Sequence, residues 1–416
     1  MSCNRRMDAA CFAAVLALLP GCEREADPGP PVLRWYVASD PSGAFEAAAE
    51  RCAEGSEGGY RIEIAPLPAD ADQQREQLVR RLAAGDPDID LIGMDVIWTA
   101  EFARAGWILR WKDELAAAAK EGRLAPTVES ASYRGELWAA PFTTNTQLLW
   151  YRTDRMVRAP ATWDEMIEAG ESIGANGRIQ VQGQRYEGFT VFFVSLLASA
   201  GGTVLDETGE RVALPPEPTE RALRVMKRLA DSSAADPSLS TMREDETRLA
   251  FENGGSSFMV NYTFIWPSAR RNAPDLARHL GWARWPGVIE GRPSRVTIGG
   301  LNLAIGAFSR HPELAFRAAT CIASEENQLE AASGGGLIPS SERLYESPEL
   351  AAALPFAALL RESLRDGVQR PQTPVYTDVS LAIARTLHPM REIDPAADAE
   401  RLRQNVDRAL RSQGLL

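Results

Sequence analysis

AAPFTTNTQLLWYR, residues 139–152, joins a short polar patch to an apolar run. Four small hydrogen-bonding residues at 143–146 lie between a proline and QLLWYR, which has the composition of a buried strand. A solvent-exposed loop does not need the apolar flanks, and a core strand does not favour four polar side chains. The stretch therefore requires surroundings that are packed and polar at once.

The size and composition of the chain indicate a globular protein with more than one lobe. Its 416 residues are too many for a single hydrophobic core. Apolar residues make up 45% and charged residues 25%, as in ordinary soluble domains. The net charge is −12 and no basic block stands out, so nucleic acid and anionic lipid are not expected as partners.

The N-terminal segment is expected to serve export rather than the fold. Two arginines precede an apolar run at residues 9–19, which is too short to span a bilayer and is typical of a secretory signal. The run ends in LPGC at residues 19–22, which is similar to the cleavage site of a bacterial lipoprotein. We therefore predict a signal peptide at 1–21, a lipid on Cys22 and a charged, proline-rich tether at 22–31. A plain signal peptide or a misassigned start is the alternative.

Two cysteines remain in the body of the chain after the signal peptide and the lipidated residue are set aside. Cys52 and Cys321 lie in the helix-like stretches AFEAAAERCAE and ELAFRAATCIASEE. An even number of cysteines in an oxidising compartment favours a disulfide, so we hypothesise that these two are bonded. Two buried free thiols are the alternative.

Alternating strand-like and helix-like stretches indicate an α/β fold. Apolar or alternating runs of strand type occur at residues 32–37, 61–67, 86–95, 256–266 and 296–306. Amphipathic helical patterns follow the first three of them, and this order predicts a parallel sheet covered by helices. The strand at 86–95 ends at Asp95, and the strand at 296–306 is interrupted by Gly299 and Gly300.

Six motifs in order resemble the extracellular solute-binding proteins of the maltose/trehalose type. They are MDVIWTAEFARAGW (94–107), AAPFTTNTQLLWYR (139–152), VTIGGLNLAI (296–305), GGGLIPS (334–340), RPQTPVY (370–376) and EIDP (392–395). Within the family the similarity is greatest to the trehalose-binding lipoproteins of mycobacteria. The motifs extend over nearly the whole chain beyond the tether, although the part between Trp266 and Val296 is shorter than in relatives.

The resemblance implies a two-lobed periplasmic-binding-protein fold, or Venus flytrap, in which strands cross between two α/β lobes. We expect an N-lobe at 32–142 with 299–340 and a C-lobe at 143–298 with 341–416. PFTTNT would form the first crossing, and the stretch at 296–299 would form the second. A crossing is packed, yet its polar groups face the cleft between the lobes, which are the surroundings that the opening stretch requires.

The resemblance also implies which residues bind the ligand: Asp95, Asn145, Glu244, Tyr262, Gly299, Gly300, Gly336, Leu337 and Arg370. Carboxylates, an amide, a guanidinium and an aromatic ring are the groups that bind sugar hydroxyls and C–H faces. Tyr262 departs from the trehalose receptors, which have Trp there. Structural explanations remain open for several of these residues: a helix cap for Asp95, a turn for Asn145, a solvated helix start for Glu244, a bulge for the two glycines and a surface site for Arg370.

The resulting prediction is a substrate-binding lipoprotein of an ABC sugar importer, not an enzyme. It would act as a monomer outside the cytoplasm, bind a disaccharide (trehalose favoured) without cofactor or metal, and deliver it to membrane permease subunits. Alternatives are a binding protein for another α-glucoside or oligosaccharide, a membrane-tethered scaffold, or a secreted glycoside hydrolase using Asp95 and Glu244. The three histidines form no HExxH or triad-like pattern, and no nucleophile elbow or phosphate loop is present.

Overall fold

The computed structural model of this protein describes residues 29–412. Its strands are β1 (Val32–Ala38), β2 (Arg61–Leu67), β3 (Leu91–Asp95), β4 (Ser132–Tyr133), β5 (Glu136–Leu137), β6 (Ala140–Asn145), β7 (Leu148–Arg152), β8 (Arg178–Gln180), β9 (Ser256–Asn261), β10 (Leu280–Ala283), β11 (Gly299–Ile305) and β12 (Ile338–Pro339). The predicted signal peptide, Cys22 and most of the tether lie outside the described residues.

The α-helices surround two sheets. They are α1 (Ala44–Glu54), α2 (Ala71–Ala83), α3 (Thr99–Ala105), α4 (Asp113–Lys120), α5 (Ala125–Ser130), α6 (Trp163–Ile173), α7 (Glu187–Ser199), α8 (Pro216–Asp231), α9 (Glu244–Glu252), α10 (Ile265–Asn272), α11 (Pro274–Ala277), α12 (Pro312–Ile322), α13 (Glu325–Gly335), α14 (Pro348–Ala353), α15 (Ala357–Arg365), α16 (Tyr376–Leu387) and α17 (Pro395–Leu410). No helix in the described part of the chain combines the length and apolarity that a membrane span requires.

The N-lobe is built on a six-stranded mixed sheet with the strand order β12-β6-β11-β3-β1-β2. β1 pairs in parallel with β2 and β3, as the alternation of strands and helices predicts. β11 lies antiparallel between β3 and β6, with Leu301 opposite Asp95 and Gly299 opposite Asn145. The carboxyl ends of β3 and β6 and the start of β11 therefore meet at one edge of the sheet.

The C-lobe is built on a four-stranded sheet with the order β10-β7-β9-β8. β7 pairs antiparallel with β9 and β10, and β8 pairs in parallel with β9. Helix α7 is apolar on nearly every side, so it is buried along almost its whole length in the core of this lobe. Phe192 of this helix packs edge to face against Trp163 and Trp285, which also contact each other edge to face.

The chain passes between the sheets at the stretch that opened the sequence. β6 ends at Asn145 in the first sheet and β7 begins at Leu148 in the second, so the two buried residues between them, Thr146 and Gln147, make the crossing. The Nε2 atom of Gln147 donates a hydrogen bond to Oε1 of Gln182 across 2.8 Å, which gives this buried amide a polar partner. β6 continues three residues past the lobe boundary expected at residue 142.

The second crossing enters the N-lobe sheet at Gly299. Val296 packs into the core of the C-lobe, and the next strand of the first sheet, β11, begins three residues later. Thr297 forms a parallel bridge with Val368, so the segment that leads to Arg370 runs beside this crossing. This bridge holds the second crossing and the segment that leads to Arg370 side by side at the interface between the lobes.

Two further features of the chain bear on the sequence predictions. The strand expected at 256–266 ends at Asn261, because Oδ1 of that residue accepts the backbone N–H of Tyr262 and the chain then turns into α10. Cys52 on α1 and Cys321 on α12 form a disulfide with a Cα–Cα distance of 5.8 Å. This bond joins two helices on the N-lobe that are 269 residues apart in sequence.

Candidate functional site

A cavity of about 260 Å³ lies between the two lobes. Both lobes contribute to its walls, and the side chains around it are mostly polar. The lining residues are Ala69, Asp70, Ala71, Asp72, Asp95, Asn145, Tyr186, Glu187, Gly188, Val191, Arg243, Glu244, Tyr262, Gly299, Gly300 and Arg370. Seven of the nine residues predicted from the sequence to bind ligand are therefore brought together here.

Asp95 and Arg370 form an ion pair across the interface between the lobes. Nη2 of Arg370 lies 3.2 Å from Oδ1 of Asp95, which also accepts the backbone N–H of Ile97 and so begins the short helical turn after β3. Asp95 therefore caps this turn and lines the cavity at the same time. Among residues 29–412, no donor reaches its second carboxylate oxygen, which is left available to a ligand hydroxyl.

Arg370 is only 7% exposed, contrary to the surface position that its place before a proline allowed. Its Nη1 atom lies 2.8 Å from Oε1 of Glu187, the first residue of the buried helix α7. Burial alone would lower the pKa of Arg370, but the carboxylates of Asp95 and Glu187 raise it, so the guanidinium stays charged. Its buried Nε atom has no hydrogen-bond partner in the described chain.

Glu187 is held by a second set of donors from the C-lobe. The hydroxyls of Tyr376 and Ser380, both on α16, donate to its carboxylate. Burial raises the pKa of Glu187, and Arg370 with these hydroxyls opposes that rise. Sequence reasoning missed Glu187, although a charged residue just before the mostly apolar stretch FTVFFVSLLA was a signal that could have found it.

Asn145 lies directly against the two glycines of β11. A Cβ atom at Gly299 would lie 2.2 Å from Oδ1 of Asn145, and one at Gly300 would lie 2.3 Å from the carbonyl oxygen of Thr143. Gly300 also has a φ of 127°, which disfavours any other residue. The glycines thus let β6 and β11 approach closely, while the buried Oδ1 of Asn145 has no hydrogen-bond donor among residues 29–412.

Glu244 and two tyrosines form the C-lobe wall of the cavity. A Cβ atom at Gly188 would lie 2.2 Å from the hydroxyl of Tyr186 and 2.9 Å from Oε1 of Glu244, so these groups lie side by side against a glycine. Burial raises the pKa values of Glu244, Tyr186 and Tyr262, and the carboxylate of Glu244 adds to the rise for both tyrosines. The buried Tyr186 hydroxyl has no hydrogen-bond partner of good geometry in the described part of the protein.

Arg243 closes the same wall toward the N-lobe. Its Nη1 atom lies 3.0 Å from Oδ2 of Asp70, and its guanidinium lies over the ring of Tyr186 at 4.6 Å from the centroid. Asp70 also caps α2 by accepting the N–H of Gln73. Arg243 and Asp70 therefore link the two lobes at the edge of the cavity, and the sequence prediction included neither.

Gly336 and Leu337 are the two predicted ligand residues that do not line the cavity. The carbonyl oxygen of Gly336 accepts a hydrogen bond from the Thr263 hydroxyl at 2.6 Å, and Leu337 packs against the core of the N-lobe. Gly336 has a φ of 70° at the end of α13, where glycine is favoured as a helix cap. These contacts hold the end of α13 in place and do not involve the cavity.

The protein has two lobes that are joined by crossing strands and meet over a polar cavity. This arrangement is typical of proteins that enclose a small solute. Residues 38–329 match the family described as bacterial extracellular solute-binding protein. The match covers well over half of the chain, and this protein belongs to that family.

Several known proteins are similar to this chain over more than half of its length. The chain is 25% identical over 394 residues to a probable ABC transporter-binding protein of Deinococcus radiodurans, covering 91% of this chain and 93% of that one. It is 25% identical over 242 residues to the diacetylchitobiose-binding protein DasA of Streptomyces coelicolor, covering 55% of each. The structure of maltose-bound MalE3 of T. maritima superimposes with a TM-score of 0.82 and 28% identity, covering 90% of this chain and 98% of that one.

Proposed function

We propose that this protein is the substrate-binding lipoprotein of an ABC sugar importer and that it captures a disaccharide in the cavity between its lobes. The observation that carries the proposal is the composition of that cavity, where carboxylates, an amide and a tyrosine from both lobes face one enclosed space. Such groups bind the hydroxyls and C–H faces of a sugar. The likeness to an ABC transporter-binding protein and to maltose-bound MalE3 supports the same function.

Binding would act by favouring closure of the lobes. Asp95 and Asn145 reach the ligand from the N-lobe, and Glu244 and Tyr262 reach it from the C-lobe. A ligand shifts the protein toward the closed form only through contacts that the open form lacks, so a sugar that touches both walls favours closure. The closed form would then deliver the sugar to permease subunits in the membrane.

Trehalose is the first ligand to test, and maltose and other α-linked glucosides follow. We propose isothermal titration calorimetry of the purified protein with trehalose, maltose, sucrose and glucose. Binding of one disaccharide, weakened in Asp95→Ala but not in the control Asp275→Ala, supports the proposal, because Asp275 is exposed on α11 away from the cavity. Absence of heat with all four sugars, in protein shown to be folded, would count against capture of a neutral sugar.

The membrane anchor is a separate part of the proposal. The LPGC sequence at 19–22 supports cleavage before Cys22 and attachment of lipid to its thiol. Mass spectrometry of the N-terminal peptide from cells is expected to show an acylated Cys22. A Cys22→Ala variant should leave the membrane fraction, and its retention there would contradict the anchor.

A further inference from the structure

The cavity carries more negative than positive charge. Five carboxylates and two guanidinium groups line it, a formal excess of three negative charges. Arg370 forms ion pairs with Asp95 and Glu187, and Arg243 forms one with Asp70. The remaining carboxylates of the lining are those of Asp72, which is exposed at the surface, and Glu244.

Glu244 forms no ion pair with any residue in 29–412. Its neighbours in the first turn of α9 are acidic, and the nearest arginine, Arg243, has its guanidinium on Asp70 and the ring of Tyr186. Burial raises the pKa of Glu244, and the Tyr186 hydroxyl and, to a smaller extent, the Arg243 guanidinium oppose that rise without cancelling it. A charged carboxylate in this position therefore has no ion-pair partner within the described chain to offset its burial.

Aromatic groups flank this carboxylate. The Tyr186 hydroxyl lies beside Glu244 against Gly188, and Tyr262 belongs to the same wall. The ring of Tyr186 already has a cation over it, the guanidinium of Arg243. A carboxylate attracts an ammonium group through its charge, and the tyrosine hydroxyl beside it offers a second oxygen that can accept a hydrogen bond from the ammonium.

We propose that the ligand carries a protonated amino group that binds at Glu244, so that the preferred solute is an amine-bearing disaccharide rather than a neutral one. The inference rests on the proposed function, since it takes the cavity to be the sugar site. A neutral hydroxyl would donate a hydrogen bond to Glu244 but would leave the excess charge in place. An ammonium group would make the same contact and also offset the charge of Glu244, reducing the formal excess from three to two.

The test uses two pairs of sugars that differ in an amino group: chitobiose with diacetylchitobiose, and trehalosamine with trehalose. Calorimetry at neutral pH is expected to show the amine of at least one pair binding about tenfold or more tightly than its neutral partner. In Glu244→Gln this preference should fall to near one. In the matched control Asp245→Asn, which removes the same charge from the exposed neighbouring position of α9, the preference should remain.

The possible results distinguish a failure of this inference from a failure of the proposed function. If neutral disaccharides bind as tightly as their amines, the inference is overturned and the proposed function stands. If Glu244→Gln keeps the preference for amines, the assignment to Glu244 is overturned. If none of the four sugars binds folded protein, the proposed function fails and the inference fails with it.

Discussion

Arg370→Met tests whether the buried guanidinium organises the cavity. The substitution keeps much of the apolar stem but removes two charged hydrogen bonds, at 2.8 Å to Glu187 and at 3.2 Å to Asp95. The side chain of Glu187 is 15% exposed and that of Asp95 is 24% exposed. The variant therefore leaves one carboxylate buried without its counter-ion and the other with partial access to water.

The expected cost follows from what remains around each carboxylate. Removing one partner of a buried ion pair costs about 3–5 kcal/mol, because the other charge is left uncompensated. Glu187 keeps hydroxyl donors from Tyr376 and Ser380, and Asp95 is partly solvated, so the lower end of the range applies. We expect Arg370→Met to lower the free energy of unfolding by about 3 kcal/mol.

Urea denaturation followed by tryptophan fluorescence measures this cost in a double-mutant cycle. Glu187→Gln, Arg370→Met and the double variant are compared with the wild type. Because the double variant removes the stranded charge, it should be at least about 1 kcal/mol more stable than the sum of the two single losses predicts. A loss below about 1 kcal/mol in Arg370→Met, or strict additivity in the cycle, would refute the reasoning.

The pH dependence gives an independent check on the same pair. Burial raises the pKa of Glu187 above its ordinary 4.5, and Arg370 is the largest influence that opposes the rise. A carboxyl group with a raised pKa binds more protons when folded, so its contribution to stability falls as the pH rises from 4.5 to the folded pKa. The loss of unfolding free energy caused by Arg370→Met should therefore be smaller at about pH 5 than at about pH 8.

Three further outcomes are expected. Asp95→Ala should weaken sugar binding by about 1–3 kcal/mol in calorimetry, the scale of a lost charged hydrogen-bond partner, and unchanged affinity would remove it from the site. Gly188→Ala should weaken binding about tenfold or more, since a Cβ there would displace the Tyr186 hydroxyl. Thermal melting should show that the variant is folded, and an unchanged affinity would place the ligand elsewhere. Replacing Cys52 and Cys321 together by Ala should lower the free energy of unfolding by about 2–5 kcal/mol and leave ligand affinity unchanged. An unaltered midpoint in urea denaturation would show that the disulfide does not contribute to stability.

The fold class could be predicted because its signals are local or occur in a fixed order. Alternating strand and helix patterns indicated the parallel part of the first sheet, and the structure confirms the two-lobed α/β fold. The crossing at PFTTNT was implied by the family resemblance, and the polar stretch at 143–146 fits it because these residues are mostly buried and polar at once. The strand at 256–266 was predicted too long, since the hydrogen bond from Tyr262 N–H to Asn261 that ends it depends on side-chain geometry.

The cavity could be predicted only in part. Asp95, Asn145 and the glycines of β11 lie at strand ends, where the order of strands brings them together at one edge. Tyr186, Glu187 and Gly188 were missed because they precede a run of apolar residues typical of a core helix. Only the packing of α7 against the interface shows that its first turn faces the cavity.

Charge pairing was the least predictable feature, because it joins residues far apart in sequence. Arg370 lies 183 residues from Glu187 and 275 residues from Asp95, so no local pattern could indicate that it is buried between them. Once Arg370 and Arg243 have taken their partners, Glu244 is the cavity carboxylate that is neither paired nor at the exposed surface. The charge left unpaired after folding is what a ligand in this cavity would meet. If the proposal holds, the preference for an amine would therefore follow from the tertiary structure rather than from any single motif.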